Sequence, residues 1–168
     1  MSPTTLDFRR LLASDLVDGF DAGTDDGEVR LTTFFRSYAQ QNQKRRQSAT
    51  WVAADRVSIA GYVTLCPGSA SPQSLTELVR GLPRNAVAVL VLARMATDAR
   101  YRGQGVGSAM VDRVVMLRAD HLASEHGCVG VFTDAKPGAV GFYEKKAFHR
   151  LLGEVLPGQN VPMFRPLR

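Results

Sequence analysis

The sequence predicts an α/β sandwich in which helices cover a mixed sheet. Short β-rich apolar segments alternate along the chain with amphipathic stretches of helical period. The apolar run at residues 86–93 is long enough for a central strand and too short for a membrane span. A glycine-rich segment joins this strand to the longest amphipathic stretch. Strands followed by helices in this order are typical of an α/β fold.

Periodicity and turn residues place the individual elements. The spacing predicts a strand pair that turns at Asp55-Arg56, and residues 67–72 are predicted to form a loop. Pro137 suits the first turn of the last helix. The predicted helices are residues 28–46, 75–79, 106–122 and 137–147, and the predicted strands are 50–53, 58–65, 86–96, 128–132, 148–152 and 161–164.

Length and composition predict one domain over residues 1–168. Charged residues make up 22% and hydrophobic residues 45% of the chain, close to the averages of soluble globular proteins, which excludes a disordered or fibrous chain. The two cysteines, Cys66 and Cys128, are too far apart in sequence to suggest a disulfide framework or a zinc site. The first ten residues contain no apolar signal core, so we expect a cytoplasmic protein without membrane association.

Positive charge is concentrated after residue 28. Residues 1–28 carry seven acids against two arginines, whereas the whole chain has a formal net charge of +5. Residues 29–46 hold five bases and no acid: Arg30, Arg36, Lys44, Arg45 and Arg46. This cluster is either a phosphate-binding surface or a solvated helix end whose cations complement the helix dipole, and the sequence leaves both readings open.

The strongest local signal is the segment Arg102-Gly-Gln-Gly-Val-Gly-Ser108. Its glycines allow tight turns and a close backbone approach to a ligand, and the following helix start favours a bound phosphate. The dinucleotide and P-loop patterns both fail, because the required later glycine and the Gly-Lys-Ser/Thr triplet are absent. The pattern R/Q-x-x-G-x-G/A is satisfied by Arg102, Gly105 and Gly107; a turn without a ligand is the alternative.

A second motif adds to the first. Phe142-Tyr143, on a predicted helix some 35 residues beyond the loop, resembles the closing motif of the GNAT N-acetyltransferase superfamily. The glycine segment resembles the pyrophosphate-binding motif of that family, and residues 89–97 resemble the strand before it. Further segments resemble the TacT/AtaT-like acetyltransferase toxins of type II toxin–antitoxin pairs: residues 20–23, 31–35, 39–42, 60–65, 92–96 and 133–136. The resemblance covers about residues 5–152, with Ala22, Pro137 and Ala147 as departures from the usual pattern.

The resemblance implies a fold and a donor. The sheet should be mostly antiparallel, with a V-shaped splay between its two central strands, and the co-substrate should be acetyl-CoA. Tyr143 is implied as the acid that protonates the coenzyme thiolate; a purely structural core aromatic is the alternative. The implied donor-binding residues are Met95, Ala96, Thr97, Arg102, Gly103, Gln104, Gly105, Val106, Gly107, Ser108 and Phe142.

The implied acceptor is the α-amine of an aminoacyl-tRNA, whose acetylation blocks translation. Candidate residues on the tRNA side are Arg94, Arg36, Lys44, Arg45 and Arg46. A ribbon-helix-helix antitoxin and a homodimer are the implied partners, and no metal is expected because the histidines lack ligand spacing. The alternatives are a small-molecule or protein N-acetyltransferase and a non-catalytic acyl-CoA-binding or repressor-complex module.

Overall fold

The computed structural model describes residues 5–153 and 155–168, and this part of the chain contains a seven-stranded sheet. Its hydrogen-bonding order is β1-β2-β3-β4-β5-β7-β6. The β4–β5 pair is parallel, whereas β1–β2, β2–β3, β5–β7 and β6–β7 are antiparallel. The predicted mixed, mostly antiparallel sheet is confirmed. The strands are β1 Asp7–Arg10, β2 Ala49–Ala54, β3 Ile59–Ala70, β4 Val87–Thr97, β5 Gly130–Ala135, β6 His149–Arg150 and β7 Val161–Pro166.

Helices connect these strands. They are α1 Asp26–Ser37, α2 Ala39–Lys44, α3 Pro72–Leu75, α4 Val106–Met110, α5 Met116–His126 and α6 Val140–Lys145, with 3₁₀ turns at Ala99–Tyr101 and Pro137–Ala139. In the part of the chain that the structure describes, no helix has the length and apolar character needed to cross a membrane.

The prediction of one helix over residues 28–46 is wrong at Tyr38. The backbone of Tyr38 leaves the helical region at φ −125° and ψ −28°, so α1 ends and α2 begins on either side of it. Hydrogen bonds continue through the break, from the Tyr38 N–H to Phe34 and from the Asn42 N–H to Tyr38. Because the Tyr38 side chain is half exposed, its apolar spacing does not mark a continuous buried face.

The helix predicted at residues 106–122 is interrupted by a π-helical turn and extends to His126. The π-helical segment Val111–Val115 lies directly between α4 and α5. Adjacent residues are buried at Met110 and Val111 and again at Val114 and Val115. A π turn inserts an extra residue into the helical turn, and a 3.6-residue apolar period does not reveal it.

Other boundaries differ from the prediction. β3 continues through residues 67–70, which were predicted as a loop, and α3 begins three residues earlier than predicted. β5 begins and ends later than predicted, and β6 is only two residues long. β1 was not predicted, since its sequence is mostly polar and it pairs only with β2.

The chain divides into two compact units. The first contains residues up to Cys66 together with Arg94–Val115, and its aromatic core stacks Phe35 on Tyr62 at a centroid distance of 4.6 Å. The second contains Pro67–Ala93 and Met116–Arg168, with a core around Leu75, Val87, Val89 and Phe164. The glycine segment belongs to the first unit and Tyr143 to the second. The assignment of residues 1–168 to one domain stays a prediction.

Candidate active site

The glycine segment forms an open loop at the start of α4. Gly103 and Gly105 adopt φ values of 73° and 77°, and a Cβ on either would meet no atom within 4 Å. Gly105 is the N-cap of α4 and supplies no side-chain cap; the first helical hydrogen bond runs from the Ala109 N–H to its carbonyl at 3.0 Å. The first N–H groups of a helix lack intrahelical acceptors. This helix start therefore has the geometry of a phosphate site.

Gly61 of β3 allows α4 to pack closely on the sheet of the first unit. A Cβ at this position would lie 2.9 Å from Val106 Cγ1 and 3.1 Å from both Met110 Sδ and the Ala96 carbonyl oxygen. Gly61 was not predicted to have a role in the site. Its signal in the sequence was a glycine inside an apolar strand, which is typical of close backbone approach.

Asp98 joins the end of β4 to the segment before α1. Its buried carboxylate accepts hydrogen bonds from the Asp21 N–H at 3.0 Å, from the Arg100 N–H at 2.9 Å and from the Arg100 guanidinium. Burial alone would raise the pKa of Asp98, but the hydrogen bonds from Arg100 and Asp21 outweigh it and lower the pKa. Asp98 is thus a charged anchor for the start of the glycine loop, a role that was not predicted from the sequence.

The side chain of Arg102 contacts α1. Its guanidinium lies 2.8 Å from the Glu28 carboxylate and also donates to the Ala22 carbonyl. The pattern R/Q-x-x-G-x-G/A predicts a donor-binding role for this residue, and that role stays a prediction.

The end of β4 carries three more of the predicted donor residues. Ala96 is buried and its two neighbours, Met95 and Thr97, are half-buried. Arg94 is exposed, and its guanidinium lies 4.0 Å from the centre of the Phe34 ring. A charged side chain on this apolar strand is thus stabilised by a cation–π contact with α1.

Tyr143 is buried in the second unit between two aromatic rings. The rings of Phe142 and Phe148 meet it edge-on at centroid distances of 5.1 and 5.2 Å. Burial raises the pKa of Tyr143 to about 12, and a hydrogen bond with Thr133 acts in the opposite direction. The Thr133 hydroxyl donates to the Leu92 carbonyl at 3.0 Å. A tyrosine in this environment stays protonated at neutral pH.

Thr133 and Leu92 also form the last pair in the β4–β5 register. Leu90, Val91 and Leu92 pair with Val131, Phe132 and Thr133, and the register ends there, five residues before the end of β4. Tyr143 is therefore hydrogen-bonded at the point where β4 and β5 stop pairing.

Comparison with known proteins decides the family. Residues 46–150 match the family described as "Acetyltransferase (GNAT) domain". The chain belongs to the GNAT acetyltransferase family. The predicted resemblance is confirmed at this level.

Individual relatives agree with the assignment. A tRNA-acetylating toxin of Mycobacterium tuberculosis (strain ATCC 25618 / H37Rv) is 28% identical over 103 residues; the match covers 61% of this chain and 60% of the toxin's length. The fold is similar to the crystal structure of a bacterial toxin, with a TM-score of 0.86, 19% identity and coverage of 97% and 91% of the two chains. It is also similar to AtaT complexed with acetyl-methionyl-tRNAfMet, with a TM-score of 0.82, 21% identity and coverage of 96% and 95%.

The predicted acceptor-side cations of this GNAT chain lie partly together. Arg36, Lys44 and Arg45 line an open groove of about 880 Å³ in the first unit, with several glutamines and Ala13. Arg36 also donates from Nε to the Phe20 carbonyl at 2.8 Å. Arg46 does not line this groove and has a left-handed φ of 59°. These three cations give the groove a positive charge, and Lys and Arg side chains are the groups that neutralise nucleic-acid phosphates.

Proposed function

We propose that this protein is an acetyl-CoA-dependent N-acetyltransferase that acetylates the α-amine of aminoacyl-tRNA and thereby blocks translation. The observation that carries the donor assignment is the loop of Gly103 and Gly105, which leads into a helix start without a side-chain cap. The acceptor assignment is supported by the similarity to a tRNA-acetylating toxin and by the basic groove.

The donor pyrophosphate is proposed to bind the backbone N–H groups of the loop. Glycines at positive φ place no side chain over those groups, so the backbone is accessible to a ligand. Backbone N–H groups near Met95–Thr97 would stabilise the developing charge on the thioester carbonyl oxygen, as an oxyanion site does.

The chemistry needs one proton donor in the protein. The amine nitrogen attacks the thioester carbonyl, the new C–N bond forms, the C–S bond breaks, and the coenzyme leaves as a thiolate. The nitrogen releases one proton to water as the amide forms, Tyr143 donates its hydroxyl proton to the thiolate, and the resulting tyrosinate takes a proton back from water. Because burial raises its pKa to about 12, the proton is present at every physiological pH.

The acceptor amine needs no strong base from the protein. An α-amine has a reference pKa of about 7.7–8.0, so a useful fraction is neutral at physiological pH. The residues on the acceptor side are then needed to bind the tRNA and not to deprotonate the amine. Arg36, Lys44 and Arg45 in the groove, with Arg46 after it, are proposed to contact tRNA phosphates.

Salt dependence separates this function from that of a small-molecule or protein acetyltransferase. Neutral replacement of Lys44, Arg45 and Arg46 should weaken acetylation of tRNA and flatten the plot of log affinity against log salt by about 0.7–0.9 per lost phosphate contact. The matched control replaces the exposed residues Arg56, Arg80 and Arg84, and it should keep the wild-type slope. Equal slopes for the two triple variants would contradict a tRNA-binding role for the cluster.

The partners follow from the same proposal. This fold is also similar to AtaT in the structure of the AtaT–AtaR complex bound to DNA, with a TM-score of 0.72. We therefore propose that a ribbon-helix-helix antitoxin neutralises this protein, that it forms a homodimer and that it acts in the cytoplasm. A non-catalytic repressor module is the alternative, and release of free coenzyme A in the presence of aminoacyl-tRNA would exclude it.

A further inference from the structure

Glu28 connects the start of α1 to the glycine loop. One oxygen of its carboxylate lies 2.8 Å from the Arg102 guanidinium. The other oxygen accepts the Asp25 N–H at 3.1 Å, and the Asp25 side chain accepts the Glu28 N–H at 2.7 Å, which completes a capping box. The Glu28 carboxylate thus contacts both the N-cap of α1 and Arg102, which is the first residue of the glycine segment.

The ion pair packs against the backbone at Gly23. A Cβ at this position would overlap the Glu28 carboxylate and the Arg102 guanidinium, and the φ of Gly23 is +132°. The same guanidinium donates to the Ala22 carbonyl. The backbone of Ala22 and Gly23 therefore contacts the ion pair, although both side chains of the pair remain partly exposed.

Two backbone contacts fix the same segments to each other. The Asp21 N–H donates to the Asp98 carboxylate at 3.0 Å, and the Ala99 N–H donates to the Asp21 carbonyl at 2.8 Å. The segment that enters α1 and the segment that enters the glycine loop are consequently joined at Asp98, at Ala99 and at Arg102.

We propose that Glu28 is a positioning residue for the donor loop and acts through Arg102. The inference rests on the proposed donor site. Glycines leave the loop conformationally free. The affinity for acetyl-CoA decreases when a smaller fraction of the molecules has the loop in the binding conformation. Anchoring Arg102 to α1 raises that fraction. The guanidinium of Arg102 thereby serves the donor site by holding the loop, while the loop backbone contacts the phosphate.

A double-mutant cycle tests the assignment. Glu28→Gln keeps an acceptor for the Asp25 N–H and removes the charge that faces Arg102. We expect Glu28→Gln and Arg102→Gln each to weaken acetyl-CoA binding, measured by calorimetry, by about two- to fivefold. The double variant should be no weaker than either single variant, because both changes remove one interaction. The KM for acetyl-CoA should rise with kcat retained.

Asp26→Asn is the matched control. Asp26 is an exposed acid in the same helical turn, so its replacement makes the same change in charge near the helix dipole. This variant should bind acetyl-CoA as the wild type does. Gly23→Ala, which displaces the ion pair without a change in charge, should weaken binding in the same way as Glu28→Gln.

The opposite pattern would overturn the inference. If Glu28→Gln bound acetyl-CoA as well as or better than the wild type while Arg102→Gln bound it less well, Arg102 would contact the donor directly. Additive losses in the double variant would also contradict a shared role. Failure of the wild type to bind acetyl-CoA would instead contradict the proposed function.

Discussion

The Thr133 hydroxyl donates a 3.0 Å hydrogen bond to the Leu92 carbonyl, and these two residues are the last pair that joins β4 to β5. Tyr143 is hydrogen-bonded to the same threonine. The proposed acid is therefore held by a side chain at the point where the parallel strands stop pairing. In the first unit, the glycine loop is held by Asp98 and by the Glu28–Arg102 pair.

Replacement of Tyr143 by phenylalanine tests the proposed acid. The ring would still pack between Phe142 and Phe148, so we expect an unchanged melting temperature to within a few degrees and an unchanged affinity for acetyl-CoA. Turnover should fall by about 10²–10⁴-fold, the usual loss when a general acid is removed. Steady-state kinetics would measure it, and a fall of less than threefold would assign Tyr143 to packing alone.

The raised pKa of Tyr143 predicts a dependence of stability on alkaline pH. Its pKa in the folded state is about 12, above the ordinary value of 10.0. A raised pKa means that the associated stability is fully present below pH 10 and is lost as the pH rises toward 12. The free energy of unfolding should therefore fall more in the wild type than in Tyr143→Phe, by up to about 2–3 kcal/mol at the top of that interval.

Urea titrations at several pH values between 8 and 11.5 would measure this difference. Contributions from other tyrosines are common to both proteins and cancel in the comparison. Parallel curves for the wild type and Tyr143→Phe would contradict the raised pKa.

Gly105→Val tests the donor loop. Gly105 has a φ of 77°, and a side chain there costs roughly 1–2 kcal/mol in backbone strain and also covers the loop. Gly81 has a φ of 72° and equally open surroundings outside the loop, so Gly81→Val is a matched control for the strain. We expect both variants to lose stability but only Gly105→Val to lose acetyl-CoA binding in calorimetry. Equal affinities in the two variants would contradict the loop assignment.

Ala147→Gly should stabilise the protein. Ala147 follows the C-cap of α6 with a φ of 63°, and the next N–H, from Phe148, donates to the Tyr143 carbonyl at 3.0 Å. Glycine is preferred in this left-handed position after a helix. Relief of the strain, less the entropy that glycine loses on folding, should raise the free energy of unfolding by about 0.5–1 kcal/mol.

Thermal unfolding would detect this as an increase in melting temperature of about 1–4 °C. The control is Ala123→Gly, because Ala123 lies inside α5 and its replacement by glycine should destabilise the protein by roughly 0.5–1 kcal/mol. A lower melting temperature for Ala147→Gly would show that the left-handed conformation costs little here.

The sequence indicates the parts of the candidate site that are contiguous in the chain, and their roles stay predictions. The loop from Arg102 to Ser108 and the Phe142-Tyr143 pair are local patterns, and local patterns can be read without a structure. The contacts that hold the loop were not predictable in this way, since the partners of Asp98 and Arg102 lie 77 and 74 residues away in Asp21 and Glu28.

The fold was predicted best where apolar periodicity decides the structure. The β2–β3 hairpin lies where two β-rich apolar segments flank Asp55-Arg56, and its turn is closed by the Asp55 side chain, which accepts the Val57 and Ser58 N–H groups. The break at Tyr38 and the π turn at Val111–Val115 were missed because a local change in the helical turn leaves no mark in the apolar spacing. Periodicity alone describes a uniform helix.

Transfer of labelled acetyl groups to bulk aminoacyl-tRNA tests the central claim most directly. Purified protein would be incubated with acetyl-CoA labelled in the acetyl group, together with aminoacyl-tRNA or with a free polyamine. We predict label on the α-amine of the amino acid attached to tRNA, with little label on the polyamine, and loss of that transfer in Tyr143→Phe. Label on the polyamine with none on aminoacyl-tRNA would contradict the proposed tRNA acetylation.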